Sequence, residues 1–126
     1  ELSDKIKEII IFEDHLTQRE LYKRIIGAKA VLLIPGSNSH WWTNFAKMVD
    51  YIGLQKSVLA IVPNPSEARK ELTNANLGWF MDSEDQAANI FEKVLNQQTL
   101  KPNVEYCKKY LASTQTKSFI EIFEKL

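Results

Sequence analysis

The stretch "VLLIPGSNSHWWTNFAKMVDYIGLQKSVLAIV", residues 31–62, decides the fold. It begins and ends on unbroken apolar runs, VLLI (31–34) and VLAIV (58–62). A strand covered on one face alternates apolar with polar residues, whereas a strand of a parallel sheet, buried on both faces, reads as a continuous run. Between the runs, Trp42, Phe45, Val49 and Ile52 recur at helical spacing, and Gly53 follows as a C-cap. The stretch therefore reads β-α-β.

The same alternation continues outward. Upstream, IIIF (9–12) is a third apolar run, followed by TQRELYKRII (17–26), with Leu21, Ile25 and Ile26 on one side and Gly27 as its C-cap. Downstream, the prolines of PNPSEARKEL end the strand, and Ser66 caps a helix that starts on Glu67. LGWFM (77–81) reads as a fourth strand, and Ser83 caps a helix whose apolar stripe is Ala87, Ile90, Phe91, Val94 and Leu95. From Lys101 onward two helices follow without a strand between them; Phe119, Ile122, Phe123 and Leu126 form a docking face on this sheet or on a domain outside the chain. The expected fold is α/β: one Rossmann-like, three-layer α/β/α domain over residues 1–126, its mainly parallel sheet of about four strands ending in two helices. The chain enters its first apolar run almost at once and without a methionine, which makes half of a larger doubly wound protein the expectation.

Composition removes several classes of function. The 126 residues carry 16 basic and 16 acidic side chains, so no net field draws the chain to nucleic acid or an anionic membrane. A single cysteine, Cys107, excludes an internal disulfide framework and a cysteine-based zinc cage and fits a reduced, cytoplasmic setting. No apolar run approaches the roughly 20 residues of a membrane span, and the amino terminus has no signal-peptide pattern. His15 and His40 stand alone, without partners at metal-ligand spacing. Glu13 and Asp14 resemble the magnesium-holding acidic pair of a response-regulator receiver domain, but such a domain needs a phosphorylatable Asp and a later Lys at its strand ends, where Pro35 and Pro63 stand.

Ligands of open α/β sheets bind beyond the carboxyl ends of the strands, at helix amino termini. The connection PGSNSHWWTN after VLLI offers Gly36, Ser37, Asn38, Ser39 and Asn44, either as a cradle for a diphosphate or as an ordinary capped turn. Thr43, Lys47 and Asp50 share a helical stripe opposite Trp42, Phe45 and Val49. Lys47 and Asp50 make either a solvated ion pair, worth about 0.2–0.5 kcal/mol, or a cleft-facing pair in which Asp50 binds sugar hydroxyls and Lys47 offsets phosphate charge. Trp42 suits packing; Trp41 suits packing or stacking on a base.

The segment KMVDYIGLQKSVLAIVPNPSEARKEL (47–72) resembles the carboxy-terminal half of GT-B glycosyltransferases of the family 4 type. There a lysine three residues before an acidic residue is followed by Tyr-Leu, a small residue, Gly-Lys-Pro-Val-Leu-Ala and later Ser-Glu-Ala. Lys47, Asp50, Tyr51, Lys56, Val58, Leu59, Ala60, Pro63, Ser66, Glu67 and Ala68 fall in that register, and LYKRIIGAKAVLLIP (21–35) resembles the segment preceding it. The resemblance implies a donor domain for a nucleotide-diphosphate sugar, facing an amino-terminal acceptor domain that this chain lacks. It implies that Asp50 contacts the donor ribose, with Lys47 and Thr43 nearby. Gly36, Ser37, Asn38 and Ser39 would lie along the diphosphate and His15 near the base. No cofactor or metal is implied, no catalytic residue lies in this half, and the chain alone transfers nothing. Implied too are a bacterial, cytoplasmic enzyme of cell-surface polysaccharide or glycoconjugate synthesis, no nucleic-acid partner, and membrane association, if any, only in the full-length enzyme. Trp42 stands where that family carries a further acidic residue, which fits the competing expectation of a non-catalytic Rossmann-like nucleotide-binding or protein-interaction module.

Overall fold

The computed structural model describes residues 8–34 and 46–125. Among them, six helices and three short strands alternate: α1 (Gln18–Gly27), β1 (Val31–Leu33), α2 (Ala46–Gly53), β2 (Val58–Ala60), α3 (Glu67–Asn74), β3 (Gly78–Phe80), α4 (Glu84–Leu95), α5 (Val104–Lys108) and α6 (Ala112–Phe123). The strands form one parallel sheet in the order β1-β2-β3, with Val31, Leu32 and Leu33 opposite Val58, Leu59 and Ala60, and these opposite Gly78, Trp79 and Phe80.

The apolar runs become strands because β2 is buried at every residue. Successive side chains leave a strand on opposite faces, and β2 divides accordingly. Val58 and Ala60 join a cluster with Leu33, Met48, Ile52, Ala68, Leu72 and Cys107, while Leu59 joins Met81, Ile90 and Val94. The first cluster is roofed by α2, α3 and α5, and the second by α4. Gly78 is required by packing: a Cβ there would lie 2.5 Å from Cζ of Phe80.

The helix starts follow local chemistry. Thr17 opens α1 with a capping box: Glu20 N–H donates to its hydroxyl, and its own N–H donates to the Glu20 carboxylate at 2.9 Å. Ser66 and Ser83 cap α3 and α4 as expected. The helix ends do not follow the glycines. Gly27 and Gly53 are the last helical residues, and no glycine among the described residues has positive φ. Left-handed backbone falls instead on Gln55, Asn76 and Gln97, each with the paired carbonyl bonds of a Schellman end, such as Gln55 N–H to Ile52 O and Lys56 N–H to Tyr51 O.

Several expectations are corrected. Residues 9–12 are not in the sheet: Ile9 is helical, residues 10–12 are irregular, and all four are exposed, from 39% at Ile10 to 89% at Phe12. An apolar run specifies burial without specifying a partner, and pairing with a strand is non-local. The buried side of α2 is Met48 and Ile52 rather than a stripe through Val49, and α1 buries only Ile25, leaving Leu21 and Ile26 exposed. Phe91 and Leu95 of α4 are likewise exposed. Phe119, Ile122 and Phe123 of α6 do not dock on this sheet, since α6 has no buried residue. Trp42 and Phe45 lie outside the described residues. No helix among the described residues is long and apolar enough to cross a membrane.

Left-handed backbone costs a residue with a Cβ about 1–2 kcal/mol, and glycine offsets part of this by its greater freedom in the unfolded chain. Exposed Gln55→Gly is therefore expected to stabilise the domain by about 0.5–1 kcal/mol in urea unfolding. Asn76→Gly should bring no such gain, because Asn76 donates from Nδ2 to Lys101 O at 2.7 Å.

Candidate functional site

Asp50 sits on α2, three residues before its end, and is partly buried. The Tyr22 hydroxyl on α1 donates to Asp50 Oδ1 at 2.8 Å and accepts from Gln18 Nε2 at 3.0 Å. Since Asp50 accepts this bond, the Tyr22 hydroxyl is held above its ordinary pKa. The bond spans 28 residues of sequence and ties α1 to α2 on one side of the sheet. At the carboxy-terminal end of α2, where the chain turns toward the start of β2, rather than at a helix amino terminus, Asp50 lines a groove of about 310 Å³ with Tyr22, Val49, Gly53, Leu54, Tyr110 and Gln115. That is the low end of small-molecule pockets. One carboxylate oxygen is held by Tyr22, and the other accepts no side-chain bond among the described residues; apolar walls are supplied by Val49 and Leu54.

Lys47 is exposed and makes no ion pair with Asp50 among the described residues, so the solvated pair is not formed. The tyrosine from the neighbouring helix takes the carboxylate instead. His15 is exposed in the segment before α1. Glu13 is paired with Arg24 in the last turn of α1. Thr43, Gly36, Ser37, Asn38 and Ser39 lie outside the described residues. No group of His, Cys, Asp or Glu able to hold a metal ion occurs among the described residues.

At the carboxyl ends of β2 and β3, the Arg69 guanidinium forks onto Asp82, with Nη1 3.2 Å from Oδ2 and Nη2 on Oδ1, and stacks 4.3 Å over the Phe80 ring. Glu67, Glu84 and Asp85 occupy the first turns of α3 and α4. Each of these acids neutralises the positive end of its helix, so neither amino terminus favours an anion. The amino terminus of α2 is approached through residues 35–45, outside the described set.

Sequence reasoning missed a second polar cluster. Glu71 on α3 accepts at Oε2 from the Tyr106 hydroxyl at 2.8 Å and from the Tyr110 hydroxyl, and pairs with Lys109 Nζ at 3.0 Å. Lys109 also lies 3.6 Å from the centroid of the Tyr106 ring. Burial pushes the Glu71 carboxyl up, but the bonds from Tyr110, Tyr106 and Lys109 outweigh it and hold it below its ordinary value. The Tyr110 hydroxyl is raised by burial and by its bond to Glu71. The only trace in the sequence was the repeat of Tyr and Lys along 106–110, since Glu71 is 35 and 39 residues from the two tyrosines. Tyr110 also lines the Asp50 groove, which joins the two clusters. Cys107 is buried in the core beneath, its thiol pushed up by burial and unsuited to nucleophilic chemistry.

Comparisons with known protein families, with curated proteins and with solved structures return no match.

A carboxyl whose folded pKa lies below its unfolded value binds fewer protons in the native state, so its contribution is full above the unfolded value near 4.5 and is lost as pH falls through the folded one. Glu71→Gln is expected to cost about 1–3 kcal/mol at pH 7. It should also flatten the fall of stability below pH 4.5, as read by denaturant unfolding across pH 3–7.

Proposed function

We propose that this chain is the nucleotide-diphosphate-sugar-binding portion of a GT-B glycosyltransferase of cell-surface polysaccharide or glycoconjugate synthesis, inactive without an acceptor-binding domain. The carrying observation is Asp50, the residue in register with that family's acidic position, held by Tyr22 at the wall of a groove. A carboxylate fixed by one donor, with no second donor among the described residues, suits a sugar hydroxyl, since bonds to a charged acceptor contribute about 1.5–3 kcal/mol. The resembling segment runs through α2, β2 and α3 in that order, as a donor half requires. In this reading the intact domain has three layers and about four strands. The connection 36–44 then lies along the diphosphate with Lys47 and Thr43 nearby, and His15 near the base. Leaving-group charge would be met by a helix terminus and basic side chains, without a metal, and transfer would be direct displacement at the anomeric carbon.

A non-catalytic binding or interaction module is the second reading. It is favoured by Trp42 in place of the further acidic residue and by the acids at the amino termini of α3 and α4.

Calorimetric titration with UDP, GDP and their sugars separates the two. On the first reading at least one ligand binds, and Asp50→Ala weakens it by about 10–100-fold, the equivalent of one charged hydrogen bond. A folded chain that binds none of them would leave the module reading.

A further inference from the structure

Along the outer flank of β3 runs a groove of about 530 Å³ between the strand edge and α4. Leu77 C=O and Met81 N–H bond to Val58 and Ala60 of β2, so alternation turns the N–H and C=O of Gly78 and Phe80 to the outer side, where no strand lies among the described residues. The edge lacks the proline or charged side chain that commonly guards against pairing with another chain. Only residues 81–83 separate Phe80 from α4, which runs back antiparallel to β3 as the second wall. From α4, Asp85, Asn89 and Lys93 line the groove at successive turns. Neither Asp85 nor Lys93 forms an ion pair among the described residues. The stripe is its own complement: turned end for end about Asn89, Asp85 falls on Lys93 and Lys93 on Asp85.

We propose that this flank binds a second copy of the chain across a two-fold axis, with β3 pairing antiparallel to its counterpart and the two α4 helices side by side. With the axis at Trp79, Gly78 exchanges both backbone bonds with the partner's Phe80, and Phe80 with the partner's Gly78, while the two Trp79 side chains meet on the α4 face in the closer pairing without hydrogen bonds. The helices fit the same axis. Leu59 of β2 and Trp79 of β3 both pack in the cluster of Ile90 and Val94, so α4 lies over the two strands. At a strand spacing of about 4.8 Å, a helix midway over β2 and β3 comes to about 10 Å from its symmetry mate, a distance at which helices pack. Asp85 then faces the partner's Lys93 on both sides of the axis, with Asn89 on it, and the antiparallel helix dipoles attract. A contact of this kind is closed at two chains and covers both edges at once. The proposal is independent of donor binding, since this groove shares no residue with the one beside Asp50.

Sedimentation velocity of the whole chain, from about 1 μM to about 1 mM, tests it. The mass expected at the upper end is twice the 14.5 kDa of one chain. Asp85→Lys and Lys93→Asp each set like charges face to face at both ends of the stripe and weaken the dimer by about tenfold or more, whereas the double reversal restores the pairing. Both side chains are exposed, so the variants keep the fold, as far-UV circular dichroism checks. In the dimer the amides of Gly78 and Phe80 exchange slowly with solvent, and in either single variant at the same concentration they exchange faster. A single-chain mass at every concentration would overturn the proposal, as would a dimer indifferent to the single reversals or a double reversal that stays monomeric. A dimer in which Gly78 and Phe80 exchange as fast as in the monomer would also refute it.

Discussion

Burial of β2 on both faces is the constraint on which the rest of the structure depends. Its three residues carry the ladder to β1 on one side and to β3 on the other, and their side chains divide between the two apolar clusters. With strands this short, the ladder alone supplies little, and the sheet is held by what covers it. Met48 and Ile52 from α2, Leu72 from α3 and Cys107 from α5 close one face, while Ile90 and Val94 from α4 close the other. Strands of a parallel sheet need such covering because their crossovers leave helices on the faces.

The groove beside Asp50 is assembled from this frame and from one polar cluster. Tyr22 fixes Asp50 from α1, and Tyr110 fixes the opposite wall by its bond to Glu71. Glu71 is nearly enclosed, and a buried carboxylate is tolerable only with its lone pairs occupied; two hydroxyls and the Lys109 ammonium do that. The cluster thus anchors the segment after α5 against α3, and the groove inherits its shape from an interaction that has no direct part in it. Charge at the strand ends works in the opposite sense. Arg69 is consumed by Asp82, and the first turns of α3 and α4 are acidic, so these helix ends are satisfied internally.

Much of the fold was legible in the residues because it rests on local rules. The runs 31–34, 58–62 and 77–81 contain β1, β2 and β3, and Ser66 and Ser83 cap the helices that follow them, each by a bond within three residues of sequence. Parallel pairing followed from the unbroken apolar character of the runs. The rotation of each helix was less legible: Val49, Phe91 and Leu95 continue apolar stripes in sequence, yet face outward, because a stripe wider than the contact leaves one flank uncovered. The glycines misled about helix ends, since a Schellman end can be closed with Gln or Asn at a cost that packing elsewhere covers.

By itself, then, the sequence determined the α/β alternation, three of the strands and the Ser66 and Ser83 caps, all of which depend on neighbours within a turn or on burial in general. The tertiary structure alone decided which group answers Asp50, because Tyr22 lies 28 positions away while Lys47 is one turn along the same helix. It alone assembled Glu71 with Tyr106, Lys109 and Tyr110, and it left Ile9–Phe12 outside the sheet. Contacts of this kind are chosen by how packed helices turn toward one another, and that choice is made by the whole core rather than by spacing along the chain.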